Sequence, residues 1–270
     1  MSGSSGEGKV ATPQVDIHPQ AIVHPTADLD VGVTVGAWTL IGPGVRIGAR
    51  TEIGPGVLIE RETTIGAECE IHKGAVLGTD PQDLKYQGEE TRLEVGDRTV
   101  IREYATLNRG TKASGLTSVG EGCLLMAYVH VAHDCRIGDQ VILSNAVNMA
   151  GHVQIGHHAI VGGLVGIHQF VRIGMHSFVG GGSGITKDVV PFCRVAGTPP
   201  KPFGLNSIGL ERRGFPPETR AALKQAYRIL FLSNLNVSQG LSRIKEEVDS
   251  TPEVEYFLAF IENSERGVVF

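Results

Sequence analysis

No apolar run in this sequence approaches the roughly 20 residues needed to cross a bilayer. The first residues, MSGSSGEGKVATPQ, lack the apolar core of a secretory signal. A soluble cytoplasmic protein with no membrane span is expected, residues 1–14 forming a flexible tail without chemistry. Cysteine is sparse. Cys69, Cys123, Cys135 and Cys193 contain no C-x-x-C pair, which favours core fillers over disulfides or metal ligands and fits a reducing compartment. Charge of one sign is not in excess either: 24 basic against 29 acidic residues leave −5, which argues against general nucleic-acid binding. Apolar spacing near 3.6, the mark of amphipathic helices, is missing from most of the chain.

What replaces it is a period of six. Read every sixth residue from Ile17 to Ile185, 26 of 29 positions carry Ile, Leu, Val or Met, the exceptions being Asp83, Glu89 and Ala113. A second column four residues later is small or β-branched, as at Ala21, Val33, Thr39, Val45, Thr51, Cys69, Val129, Cys135 and Val147. Gly follows the aliphatic residue in many units, for example Gly36, Gly48 and Gly138, where tolerance of positive φ would let the backbone turn a corner. Two inward positions per hexad, short β-favouring segments and glycine corners are the signature of a parallel β-helix.

This repeat, over about residues 17–190, resembles the hexapeptide-repeat acyltransferases. The resemblance implies a mainly β fold, a left-handed parallel β-helix with 18 residues per triangular coil, usually assembled as a homotrimer. The expected organisation is a tail at 1–14, a β-helix over 15–190 with polar loops near 78–94 and 108–118, and a linker with an α-helical C-terminal domain over 191–270. The first loop reads as functional or oligomeric and the second equally as a tolerated insertion. Pro191, Pro199, Pro200 and Pro202 suggest a rigid linker. Helical spacing follows near Pro217–Ser233, Val237–Val248 and Pro252–Glu262.

Coil arithmetic gathers histidines. Hexads beginning at Val131, Met149 and Ile167 lie 18 residues apart and stack, carrying His133, His152 and His168, with His130 at the corner before the first. At about 4.8 Å per strand, all four fall within roughly 10 Å along the axis. They sit outside the inward columns. A zinc site, an exposed structural or trimer-interface set, and acid/base chemistry are the competing readings.

Further segments, QDLKYQGE at 82–89, IREYATLNRGT at 101–111, HVAHDC at 130–135, AGHV at 150–153, IHQF at 167–170 and GLERRGF at 209–215, are similar to the UDP-N-acetylglucosamine O-acyltransferase family of lipid A synthesis. That resemblance implies transfer of a (3R)-hydroxyacyl chain from acyl carrier protein to the sugar 3-hydroxyl, without cofactor or metal. It implies His133 as general base, Asp134 as the residue that orients it, and the Gly151 N–H at the oxyanion. Asp83, Lys85, His130, His152, His168, Gln169, Asn206 and Arg213 are implied substrate contacts. A bare Gly151 is also implied to leave the acyl groove open, hence a donor of about the 14-carbon class. Pro199 and Ile208 depart from the family, which places a His and an acidic residue there. Arg212, Arg220, Lys224 and Arg228 belong to a local basic excess in Lys201–Arg228 that suits an acidic carrier protein. A CoA-dependent sugar acetyltransferase, a non-catalytic β-helix scaffold and a zinc-binding relative are the alternatives.

Overall fold

The computed structural model describes residues 14–270; the tail expected at 1–14 lies outside them apart from its last residue. From Asp16 onward the hexads alternate two-residue strands with four-residue corners. They build three sheets of 11, 9 and 8 strands, parallel throughout except for the last strand of the first. We number the faces from the strands that open them: first, Asp16–Ile17; second, Ile22–Val23; third, Asp28–Leu29. Successive coils pair 18 residues apart, as Asp16↔Thr34 and Ile22↔Leu40. The coil is the expected left-handed β-helix.

The two loops explain the three exceptions in the ladder. Pairing across the first loop jumps to an offset of 30 (Glu70↔Val100), and across the second to 24 (Glu94↔Ser118). The loops therefore replace two hexads and one hexad, and the repeat resumes in register. Asp83, Glu89 and Ala113 belong to these extruded units.

Both columns point inward. Ile59, Leu77, Ile101 and Leu107 of the first, and Val33, Val45, Cys69 and Cys135 of the second, are fully buried. All four cysteines are buried and free. Buried Thr and Cys have a common task in the second column: the corner carbonyl of the next coil needs a donor. Thr39 Oγ1 donates to Gly54 O (2.7 Å) and Thr51 Oγ1 to Gly66 O (2.7 Å), while Cys135 Sγ lies 3.2 Å from Ala150 O.

The glycine corners need correction. Gly36, Gly48 and Gly138 do not have positive φ; the left-handed residue comes two positions later and is filled by Trp38 (φ 60°), Arg50 (φ 59°) and Gln140 (φ 57°). What excludes a side chain at the glycine column is the next coil. A Cβ on Gly48 would stand 2.6 Å from Ala67 N and 2.7 Å from Gly66 C. Gly48→Ala should therefore cost about 1–3 kcal/mol through overpacking, read as a thermal midpoint lowered by about 2–4 °C per kcal/mol. An unchanged midpoint would show that the coils separate without penalty.

The stretch expected as a linker is a β-hairpin. Cys193–Gly197 pairs in parallel with Phe178–Val179, extending the first face, and antiparallel with Pro200–Leu205. Four helices follow: α1 (Ser207–Arg212), α2 (Pro217–Leu232), α3 (Val237–Glu247) and α4 (Pro252–Glu262). α1 escaped the sequence reading because six residues carry too little periodicity. Pro begins α2 and α4 as expected, Asn236 and Gln239 form a capping box on α3, and Thr251 caps α4. Their apolar sides close a second core around Phe192, Leu223 and Phe257.

Candidate active site

The corner between the second and third faces collects the chemistry. Here the left-handed positions of three successive coils are Asp134 (φ 60°), His152 (φ 62°) and Phe170 (φ 63°). On an extended strand, neighbours His133 and Asp134 would point oppositely. The left-handed turn brings them together, and His133 Nδ1–H donates to Asp134 Oδ2 at 2.8 Å.

Asp134 is held by the second loop. Thr111 donates its N–H to Oδ1 (3.0 Å) and its hydroxyl to Oδ2 (2.8 Å), and the Ser114 hydroxyl donates to Oδ1. Burial pushes the Asp134 carboxyl up, but hydrogen bonds from Ser114, His133 and Thr111 outweigh it and hold the group below its ordinary value. The loop that read equally as functional and as a tolerated insertion thus holds Asp134; Thr111 and Ser114 were missed because nothing local marks which carboxylate they will meet. The first loop is pinned to the second by fully buried Arg109, which donates to Gly78 O, to the Asp80 carboxylate and to Tyr86 Oη (3.2 Å).

His133 faces a groove of about 610 Å³ running along the second face, shared with His130, Gly151, His168 and Gln169. His130 Nδ1 is 2.7 Å from Thr106 Oγ1. Burial, with His133 beside it, pulls the His130 pKa down and keeps the ring neutral. Along this face the outward positions run His130, Asn148, Gly166 and Gly184, so the groove becomes a bare trough away from His133.

The His133 ring covers Gly151. A Cβ there would come within 2.5 Å of His133 Cε1 and 2.7 Å of Nε2. A side chain at that position would therefore meet the His133 ring first. Among the described residues, the Ala150 and His152 amides donate to Ile167 O and His133 O, whereas the Gly151 N–H has no partner.

His152 is not in the groove with the others. It stacks on Phe170 (4.5 Å, 9°) and lines a separate hollow on the third face with Arg136 and Arg172. Its Nε2 still lies 3.6 Å from Asp134 Oδ2, and its ring meets His133 edge-on at 5.2 Å. One ligand atom each from His133, Asp134 and His152 lies within 4.8 Å of the others, close enough to take a divalent cation in competition with the His133–Asp134 hydrogen bond.

The remaining candidates are dispersed. Asp83 and Lys85 share a tight turn, Asp83 Oδ1 accepting the Lys85 N–H (3.0 Å), and it is their neighbour Gln82 that reaches the groove. Asn206 is occupied in capping α1 and donating to His176 O (2.9 Å), at the corner between the third and first faces. Arg213 lies near His158 and His176; burial first, then His158, Arg213 and His157, brings the His176 pKa to about 4. Asn206 and Arg212 line a hollow with Ile208, away from His133. Arg220, Lys224 and Arg228 recur every fourth residue of α2, opposite buried Leu223, Ala226 and Leu230.

Comparison with known proteins agrees with this geometry. Residues 188–269 match the family model described as Udp N-acetylglucosamine O-acyltransferase, domain 2, and residues 117–151 match the bacterial transferase hexapeptide model. The chain is 58% identical over 255 residues to the acyl-(acyl-carrier-protein)–UDP-N-acetylglucosamine O-acyltransferase of Chlorobaculum parvum, covering 94% of this chain and 97% of that one. Among solved structures, LpxA from Acinetobacter baumannii superposes with a TM-score of 0.91 at 44% identity, covering 94% and 99% of the two chains. LpxA from Bacteroides fragilis gives 0.92 at 42%, covering 94% and 99%.

Proposed function

The chain belongs to the UDP-N-acetylglucosamine O-acyltransferase family, and we propose that it moves a (3R)-hydroxyacyl chain from acyl carrier protein to the 3-hydroxyl of UDP-N-acetylglucosamine, the first step of lipid A biosynthesis. The observation that carries the chemistry is the His133–Asp134 pair at the head of the groove. Asp134 takes up the Nδ1–H, so the Nε2 lone pair is available to the acceptor. His133 accepts the hydroxyl proton as the oxygen attacks the thioester carbonyl. The Gly151 N–H stabilises the resulting oxyanion, and collapse returns the proton from Nε2 to the departing thiolate. His130, His168 and Gln169, which line the same groove, are assigned to the sugar and the acyl group. The chain itself runs along the trough opened by Gly166 and Gly184, and a 14-carbon donor is expected to turn over faster than a 10-carbon one.

Assembly as a homotrimer is part of this reading. Asn206 and Arg213 occupy a different corner of the prism from His133, so nucleotide contacts from them require a neighbouring protomer. An exposed apolar edge supports the same view: Tyr104 stacks on Tyr128 (5.4 Å) beside a row that ends in exposed Leu164. The α2 stripe of Arg220, Lys224 and Arg228, with Arg212, is assigned to the acidic carrier protein. We place the reaction in the cytoplasm; among the described residues no helix is long and apolar enough to cross a membrane. The deciding experiment offers hydroxyacyl carrier protein and acetyl-CoA as donors against UDP-N-acetylglucosamine and its 3-amino analogue, with light scattering for the oligomer. Transfer from acetyl-CoA alone would return the chain to another hexapeptide acyltransferase specificity.

A further inference from the structure

The second loop is the one element at the base whose side chains the reaction described above does not use. Asp134 needs an account of its own, because a buried carboxylate is costly unless its oxygens are satisfied. Three donors come from two residues of this loop: the Thr111 N–H, the Thr111 hydroxyl and the Ser114 hydroxyl. A fourth contact fixes the main chain, the Asp134 N–H donating to Thr117 Oγ1 (2.8 Å) at the loop's return. Oδ1 is directed wholly to the loop, and Oδ2 is left to Thr111 and His133. A carboxylate so held cannot rotate without breaking several bonds at once.

We propose that the loop 109–115 is a positioning clamp for the acyl-transfer base, in which Thr111 and Ser114 aim Asp134 Oδ2 at His133 Nδ1 and thereby point Nε2 at the acceptor hydroxyl. The proposal rests on His133 being the base. Thr111 and Ser114 are positioning residues: both act through Asp134. The loop itself is anchored from behind, since Asn108 donates to Thr79 Oγ1 (2.8 Å) and Asp80 O (3.0 Å), and Arg109 ties it to the first loop. The two extruded loops thus act as one support, the first closing over the groove at Gln82 and the second holding the carboxylate.

The clamp also sets a pH signature. Besides Asp134, the charged or titratable groups around His133 are His130 on its own coil, His152 from the next, and Arg136 beside Asp134 in the third-face hollow. Hydroxyl donors to a carboxylate stabilise its anion and draw charge away from the imidazole. Removing them leaves more negative charge at Oδ2, favouring the imidazolium, so the acid limb of kcat/KM moves to higher pH. A loss of folded protein would lower the amplitude without moving the limb.

The test is the trimer carrying Thr111→Val and Ser114→Ala, singly and together, with Thr111→Ser as the conservative variant. The expected result is a kcat lowered about 10-fold per hydroxyl, a fraction of the 10²–10⁴-fold that a positioned base supplies. KM for the nucleotide sugar should be little changed, the acid limb should rise in pH, and Thr111→Ser should recover most of the activity. A ¹⁵N-histidine NMR titration reads His133 directly and should show the same upward move of its imidazole pKa. Wild-type kinetics and an unmoved His133 titration in the double variant would overturn the clamp. If His133→Ala stays active, the base assignment fails instead, and the NMR titration still decides whether the loop governs the imidazole.

Discussion

His133→Ala should lose about 10²–10⁴-fold in kcat, the range set by removal of a positioned general base, while the protein remains folded. The fold survives because His133, although its side chain is only 14% exposed, sits at a corner and packs into neither core. Asp134 keeps its bonds from Thr111 and Ser114 when the imidazole is gone, so no buried carboxylate is stranded. The measurement is single-turnover transfer from hydroxyacyl carrier protein to UDP-N-acetylglucosamine, with circular dichroism as the fold control. More than a tenth of the original rate would assign the proton to another group.

Gly151→Ala should be nearly as damaging, for a different reason. One methyl group would have to occupy space within 2.5 Å of the His133 ring. Either the ring swings away from Asp134 or the backbone retreats, carrying with it the N–H proposed to meet the oxyanion. The expected loss is on the order of 10²–10³-fold, as for deleting an oxyanion donor. It should fall equally on 10- and 14-carbon donors. A changed chain-length preference with kcat intact would instead support the acyl-length role expected of this glycine. Running both donors in parallel distinguishes displacement of the base from obstruction of the trough.

Much of the scaffold could be read directly. The inward columns at Ile59 or Val45 are forced by a six-residue period, since only one winding buries them all. Extruded Asp83, Glu89 and Ala113 announced the loops because aliphatic residues vanish there. The helices from Pro217, Val237 and Pro252 were marked by period and caps. Gly48 misled, because glycine serves both positive φ and close backbone approach, and one chain position does not say which. His152 misled in another way: the stacking arithmetic correctly put it beside His133, but the left-handed corner turns its ring onto Phe170 and into the adjacent hollow.

Repetition is why the sequence alone determined the inward columns of a β-helix; the 18-residue winding, and with it the stacking of His133, His152 and His168, followed from the resemblance to the hexapeptide-repeat acyltransferases. A local pattern copied coil after coil leaves the chain one way to bury its aliphatic residues. Tertiary structure alone decided which imidazole meets Asp134, that Thr111 and Ser114 reach it across about 20 residues of intervening chain, and that Gly151 lies under the base. Those contacts depend on side-chain direction at corners and on loops that return from outside the repeat, where no period constrains the path.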